Sequence, residues 1–260
     1  MMIHILTVHW KTDFWLAPQI RYLKKYTHNQ FKLYSYFTDV NKDNFQNEFF
    51  FYSDTDDDDH ARKLNKLADI AISHATSDHD LLVFIDSDAF RIIDWEHFIN
   101  EKLKEFELIA IRRDENFGDV QPHPCFCVTT VGLWKRIRGD WGKGYSWINL
   151  SGNRVTDVGG NLLGKLREFQ IPWHPLTRSH TTRLHPLWFG IYGNLIYHHG
   201  AGSRDAVSRL DVQSIKRNPV LNEDFDTSFN QIRERNNHLS KTIMELVNKD
   251  DFPDNLKFLD

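Results

Sequence analysis

The stretch 81-LLVFIDSDAF-90 decides how the chain is read. Five consecutive apolar residues, Leu81 to Ile85, suit a strand covered on both faces, as in the middle of a parallel sheet. The run stops at Asp86-Ser87-Asp88, so two carboxylates leave the sheet at the carboxyl end of its most apolar strand. In open α/β sheets ligands bind outside that end. Neighbouring carboxylates repel each other and lose hydration when buried together, and a divalent cation relieves both penalties. Mn²⁺ or Mg²⁺ held there could bridge the protein to a diphosphate, because such ions favour oxygen ligands. The plainer alternative is a strand-to-loop exit that uses Asp and Ser as turn residues, so the surroundings must decide.

Upstream, Leu64, Leu67, Ala68, Ala71, Ile72 and Ala75 fall on one face at helical spacing and predict a helix over 60–75. The acidic run 56–59 precedes it, where negative charge favours a helix N-terminus; a calcium loop would need alternating ligands and a glycine. Further back, 3–8, 31–37 and 49–52 read as strands, with a helix over 17–26. Downstream, 107–111, 124–130 and 195–197 read as strands, 161–169 as a helix, and 225–247 as a polar helix before a charged tail. Strands alternating with helices imply a parallel α/β sheet.

The 260 residues suffice for one large domain with a full core. A net charge of −4, with Lys and Arg scattered except over 135–138, offers no basic face for nucleic acid. Cys125 and Cys127 are too close for an easy disulfide and too few for zinc, so they read as reduced core thiols of a cytosolic protein. The opening MMIHILTVHWKTDFW lacks the pattern of a secretory leader, and no run approaches the ~18 apolar residues of a membrane span. A cytoplasmic location is expected, with peripheral contact at the cytoplasmic face of a membrane left open.

The segment from Asp59 to Phe90, DHARKLNKLADIAISHATSDHDLLVFIDSDAF, resembles the donor-binding core of GT-A-fold glycosyltransferases of the family 2-like, DxD-containing kind. There a helix carrying polar Arg, Lys or Asn precedes the strand that ends in the metal motif. IHILTVHW, at 3–10, is similar to their first strand, whose end touches the nucleotide. The resemblance covers about the first half of the chain and continues only through short motifs. It implies an α/β, GT-A-like (Rossmann-like) fold: a mostly parallel central sheet flanked by helices, with a C-terminal helical extension. One domain, 1–260, would comprise a donor half (1–115), an acceptor half (116–218) and the extension (219–260).

Carried onto this chain, the resemblance makes Asp88 the principal metal ligand and Asp86 a ligand of metal or ribose, with Ser87 between them a candidate donor-binding residue. Thr7, His9, Asp39, Lys63 and Asn65 become candidates for the nucleotide side. In His198-His199-Gly200-Ala201-Gly202-Ser203-Arg204, a late histidine would close the metal site. Adjacent strand residues point to opposite faces, so one of the pair serves, and the turn glycines favour His199. Backbone N–H groups of that turn and Arg204 would meet phosphate. Asp157, ahead of the helix over 161–169, would be the catalytic base, although the family usually has two acidic residues where this chain has Thr-Asp; a helix cap is the alternative.

The expectation is therefore a metal-dependent hexosyltransferase of polysaccharide biosynthesis. Its donor would be a nucleoside-diphosphate sugar, UDP favoured, and its acceptor a hydroxyl of a glycan or glycolipid. Asp157 would take the acceptor proton in an inverting displacement while the metal stabilises the departing diphosphate. A retaining GT-A transferase is the nearest rival. A nucleotidyltransferase would carry a Gly-rich loop after the first strand, which VHWKTDFW lacks. A carbohydrate-binding module would explain Trp134, Trp141, Trp147, Trp173 and Trp188, but not the carboxylate pair. Most of these tryptophans read as core; Trp141 and Trp147, in GDWGKGYSW, are the better candidates for a mobile loop that closes over the donor.

Overall fold

Strand β1 (Ile3–Trp10), buried over its first seven residues, is the hub of the larger sheet. The computed structural model describes residues 1–55, 59–180, 188–204, 229–249 and 252. β1 pairs in parallel with β2 (Phe31–Thr38) on one side and with β4 (Leu81–Ile85) on the other, and β3 (Phe51–Ser53) adds in parallel to β2. Beyond β4 lies β7 (His123–Thr130), antiparallel to β4 and to β6 (Leu108–Ile111); β10 (Trp173–Leu176) closes that edge parallel to β6. The order is β10-β6-β7-β4-β1-β2-β3, and every pairing is parallel except the two made by β7. The fold is the expected mostly parallel α/β sheet flanked by helices.

The apolar pattern dictates this layering. Ile3 and Ile5 of β1 face one way, against Leu16, Ile20 and Leu23 of α1 (Leu16–Tyr26) and Ile99 of α3 (Glu96–Lys102). Leu6 and Val8 face the other way, with Leu64, Leu67 and Ala68 of α2 (His60–Ser73), Leu133 and Trp134 of α4 (Val131–Ile137) and Leu162 of α5 (Gly160–Glu168). All five residues of β4 are buried, a burial that contributes roughly 10 kcal/mol against the entropy of ordering the strand. Asp59 caps α2 by accepting the Arg62 N–H at 2.8 Å; the rest of the acidic run, 56–58, lies outside the described residues.

The sequence did not announce a second, antiparallel sheet of three-residue strands, too short for period counting. Its order is β11 (Arg178–His180), β12 (Gly190–Tyr192), β13 (Ile196–His198), β5 (Ala89–Arg91). A small hairpin, β8 (Trp147–Ile148) and β9 (Arg154–Val155), stands apart from both sheets. The C-terminal helix α6 (Phe229–Val247) packs Ile243 and Val247 among Trp15, Tyr22, Phe90 and Tyr197; the start expected for it, 225–228, lies outside the described residues.

The expected mobile tryptophan loop is corrected. Trp141 is wholly buried and Trp147 nearly so. Trp141 packs against Phe84 and Trp134, and the Asn65 side chain accepts its backbone N–H at 2.9 Å, fastening the loop to α2. Cys125 and Cys127 are free, buried thiols. Among the described residues no helix is long and apolar enough to cross a membrane.

Candidate functional site

A cleft of about 580 Å³ opens over the carboxyl ends of β1 and β4 and the amino end of β7. Sheet order fixes its layout. Val8 and Trp10 of β1, with His60 and Lys63 of α2, line one end; Asp86, Ser87 and Asp88 lie in the middle; His123 of β7 and Arg113, just past β6, line the other. The turn after β13 covers the middle and brings Arg204 to the rim.

Asp86, Asp88 and His198 converge here, each offering a ligand atom within 4.8 Å of the others, a cluster able to hold a metal ion. His198 Nε2 lies 3.5 Å from Asp88 Oδ1 and 3.7 Å from Asp86 Oδ2. A β-ladder sets this approach: His198 pairs with Ala89, and the next N–H, of His199, donates to the Asp88 carbonyl at 3.0 Å. Asp88 Oδ2 accepts the Gly202 N–H at 2.9 Å. Gly202 sits so close that a Cβ there would come within 2.6 Å of both Asp88 Cβ and Trp15 Nε1. Two carboxylates and one imidazole are donors that suit Mn²⁺ and related divalent ions.

The electrostatics agree with a site built around positive charge. Burial alone would raise the Asp86 carboxyl, but His60, with Nε2 3.2 Å from Oδ1, and then His198 hold it well below the usual carboxylate range. Burial likewise opposes ionisation of Asp88, and His198 reverses that. Burial opposes a charged His198, yet Cys125 and Asp88 carry it well above the ordinary histidine value. Burial and then the Arg113 guanidinium push His123 well below that value.

The histidine at the cluster is His198, not the favoured His199. The ring of His199 is turned away, with Nδ1 2.9 Å from Tyr197 Oη and Nε2 2.8 Å from Ser240 Oγ of α6, so both nitrogens are engaged. Lys63, Ser87 and Arg204 do line the cleft, and Lys63 Nζ donates to Thr38 Oγ1 at 2.9 Å.

The other nucleotide-side candidates lie elsewhere. Strand alternation sends Val8 and Trp10 to the cleft and therefore Thr7 and His9 to the opposite core, both fully buried. His9 packs on Phe37 and Phe49, and burial lowers its pKa to about 3. Asn65 donates to Asp140 Oδ1 at 2.6 Å and accepts the Trp141 N–H, a structural clamp away from the cleft lining. Asp39 is exposed just past β2, in a left-handed conformation at φ 53°, and is also outside the lining.

Asp157 is outside the lining too: half-exposed, it lies 3.4 Å from Lys143 Nζ. Nor does its side chain cap α5, whose N-cap is Gly159. Sequence reasoning missed Trp10, His60, Arg113 and His123. Only Trp10 carried a usable signal, since it shares Val8's parity on a strand whose end was already expected to touch the nucleotide.

No protein-family model matches the chain, and no curated protein matches it. Among solved structures it is similar to S. aureus TarS 1–349, at 10% identity over 97% of this chain and 74% of that one, with a TM-score of 0.46. It is also similar to the mannosyltransferase PcManGT of Pyrobaculum calidifontis in complex with GDP-Man and Mn²⁺: 10% identity, 70% and 57% covered, TM-score 0.45. The glycosyltransferase GlyE of Streptococcus pneumoniae gives 14% identity, 91% and 63% covered, TM-score 0.42. Against a longer TarS structure, the match spans only 30% of that chain. Overlaps this loose say nothing about ligands, and the functional reading rests on the cleft itself.

Proposed function

We propose that this protein is a glycosyltransferase that uses a nucleoside-diphosphate sugar and a divalent metal ion, Mn²⁺ or Mg²⁺. The observation that carries the reading is the convergence of Asp86, Asp88 and His198 beyond the carboxyl end of β4, inside a cleft large enough for a small ligand. The nucleotide would lie along Trp10 and Lys63, with the diphosphate at the cluster, between Lys63 and Arg204. A bound metal would offset the charge that grows on the departing diphosphate. The chain's own residues would do the rest: Lys63 and Arg204 would attract and orient phosphate, and the turn over the cluster would restrict water. The acceptor remains a glycan or glycolipid hydroxyl.

One observation weighs on the stereochemical course. Among the described residues, the carboxylates lining the cleft are Asp59, Asp86 and Asp88, and none lies beyond the metal cluster on the Arg113 side. Inversion with Asp157 as base would need that residue to travel from its place beside Lys143. A retaining transferase, which needs no such base, is therefore the favoured second reading. The anomeric configuration of the product, read by NMR, decides between them.

The primary test is thermal stabilisation by a panel of UDP-, GDP-, CMP- and dTDP-sugars with Mn²⁺ or with EDTA. Metal-dependent stabilisation by one nucleotide family, lost in Asp88→Ala, is expected. A folded protein that no nucleotide stabilises would refute the reading.

A further inference from the structure

The far end of the cleft, past the carboxylates, holds a group the metal cluster does not use. His123 opens β7, two strands away from Trp10 across the sheet, and lines the cleft. Its Nδ1 lies 3.1 Å from the backbone nitrogen of Cys125. A peptide N–H can only donate, so Nδ1 is the acceptor and carries no proton. The neutral ring then holds its proton on Nε2. Among the described residues the imidazole has no other hydrogen bond, so Nε2–H is available on a side chain that lines the cleft.

The ring centroid of His198 is 6.1 Å away, which sets His123 beside the metal cluster rather than in it. With the nucleotide at the Trp10 end and the diphosphate at the cluster, the next group along the cleft is the transferred sugar. We infer that His123 is a sugar-recognition residue, locked by the Cys125 N–H into the tautomer that donates Nε2–H to a hydroxyl oxygen of the donor sugar. The inference rests on the proposed nucleotide-sugar reading and adds to it the residue that reads the sugar. A site built to donate to a hydroxyl discriminates strongly against sugars lacking that oxygen, because its polar group is then left buried and unpaired.

The test is calorimetric titration, with Mn²⁺ present, of UDP and of whichever of UDP-glucose, UDP-galactose and UDP-N-acetylglucosamine stabilises the native protein most. His123→Ala is expected to bind the UDP-sugar roughly tenfold more weakly, the loss of about one hydrogen bond, while its UDP affinity stays within about twofold. His123→Gln places an amide N–H near the position of Nε2–H and is expected to recover most of the loss. In ¹⁵N NMR of histidine-labelled protein, the His123 ring should show the Nε2-protonated tautomer.

Unchanged UDP-sugar binding in His123→Ala would overturn the inference while leaving the proposed function standing. An equal loss for UDP would also overturn it, by placing the residue's effect at the metal cluster. Failure of the native protein to bind UDP or any of the three UDP-sugars, seen before any variant is made, overturns this inference, and failure with the GDP-, CMP- and dTDP-sugars as well removes the functional reading with it.

Discussion

Gly202→Ala is the substitution whose effect the structure defines most sharply. A methyl group at this position would meet Asp88 Cβ and Trp15 Nε1 at 2.6 Å and Asp88 Oδ2 at 2.7 Å, where ordinary contacts need close to another ångström. Neither neighbour can step aside cheaply. Trp15 is fully buried and donates Nε1–H to the Gly202 carbonyl at 3.0 Å; Asp88 accepts the Gly202 N–H at 2.9 Å. Relief requires lifting the turn, which breaks both bonds, or rotating the Asp88 carboxylate out of the cluster. Losing two such bonds, one of them to a charged group, costs at least about 2 kcal/mol. Felt in the fold alone, that lowers Tm by about 4–8 °C; felt in the site alone, it weakens Mn²⁺ binding roughly 30-fold. Calorimetric Mn²⁺ titration and a thermal melt on the same sample measure the two shares. Gly152→Ala is the control: a Cβ there meets nothing within 4 Å, and only the left-handed backbone, φ 76°, resists it. That variant should lose about 1 kcal/mol of stability and keep its Mn²⁺ affinity. A Gly202→Ala protein with native Tm and native Mn²⁺ affinity would refute the reasoning.

Three further outcomes follow from the same geometry. His198→Ala should weaken Mn²⁺ binding at least tenfold, whereas His199→Phe should keep it within a few-fold and instead lose about 2 kcal/mol of unfolding free energy through the Tyr197 and Ser240 bonds; a reversed pattern in paired metal titrations and urea melts would return the ligand role to His199. Asn65→Ala should cost about 1–3 kcal/mol, because it strips a partner from Asp140 and from the Trp141 N–H, and should leave nucleotide and Mn²⁺ affinity alone. Burial raises the Asp119 carboxyl from 3.8 to about 6, so between those values the native state holds a proton that the unfolded chain has released, and stability falls as pH rises through that window. Asp119→Asn should therefore gain on the native protein by up to about 3 kcal/mol between pH 4 and pH 8, and parallel urea-stability curves across that range would contradict this.

The large sheet was legible because its strands obey rules that act locally. LLVFI, five apolar residues stopped by polar turn residues, suits a strand buried on both faces, and the period of Leu64, Leu67, Ala68 and Ala71 marks the buried face of α2. The carboxylates at the end of β4 followed directly. What the sequence hid was orientation. Strand position points Thr7 and His9 to the nucleotide, but the parity of β1 gives the cleft to Val8 and Trp10. The choice between His198 and His199 turns on the pairing of β13 with β5, a contact between segments more than a hundred residues apart in sequence. Asn65 and Asp157 are candidates only by their positions on a helix and before a helix, and each has a partner outside the cleft lining, Asp140 and Lys143. His123 and Arg113 sit in unremarkable sequence and reach the site only because β7 and β6 are inserted beside β4, while His60 meets Asp86 from the first turn of α2.

That insertion also bears on how the polypeptide can be divided. A fragment ending near residue 115 would contain both aspartates and nearly everything expected to grip the nucleotide. It would also leave one edge of β4 bare, because the neighbour on that side is β7, and it would strand β6 with neither of its partners. Bare edges of buried strands recruit other chains. Excising residues 1–115 for crystallisation or for grafting onto another scaffold should therefore give insoluble material, and a shortened version worth expressing must extend at least through the turn that delivers His198.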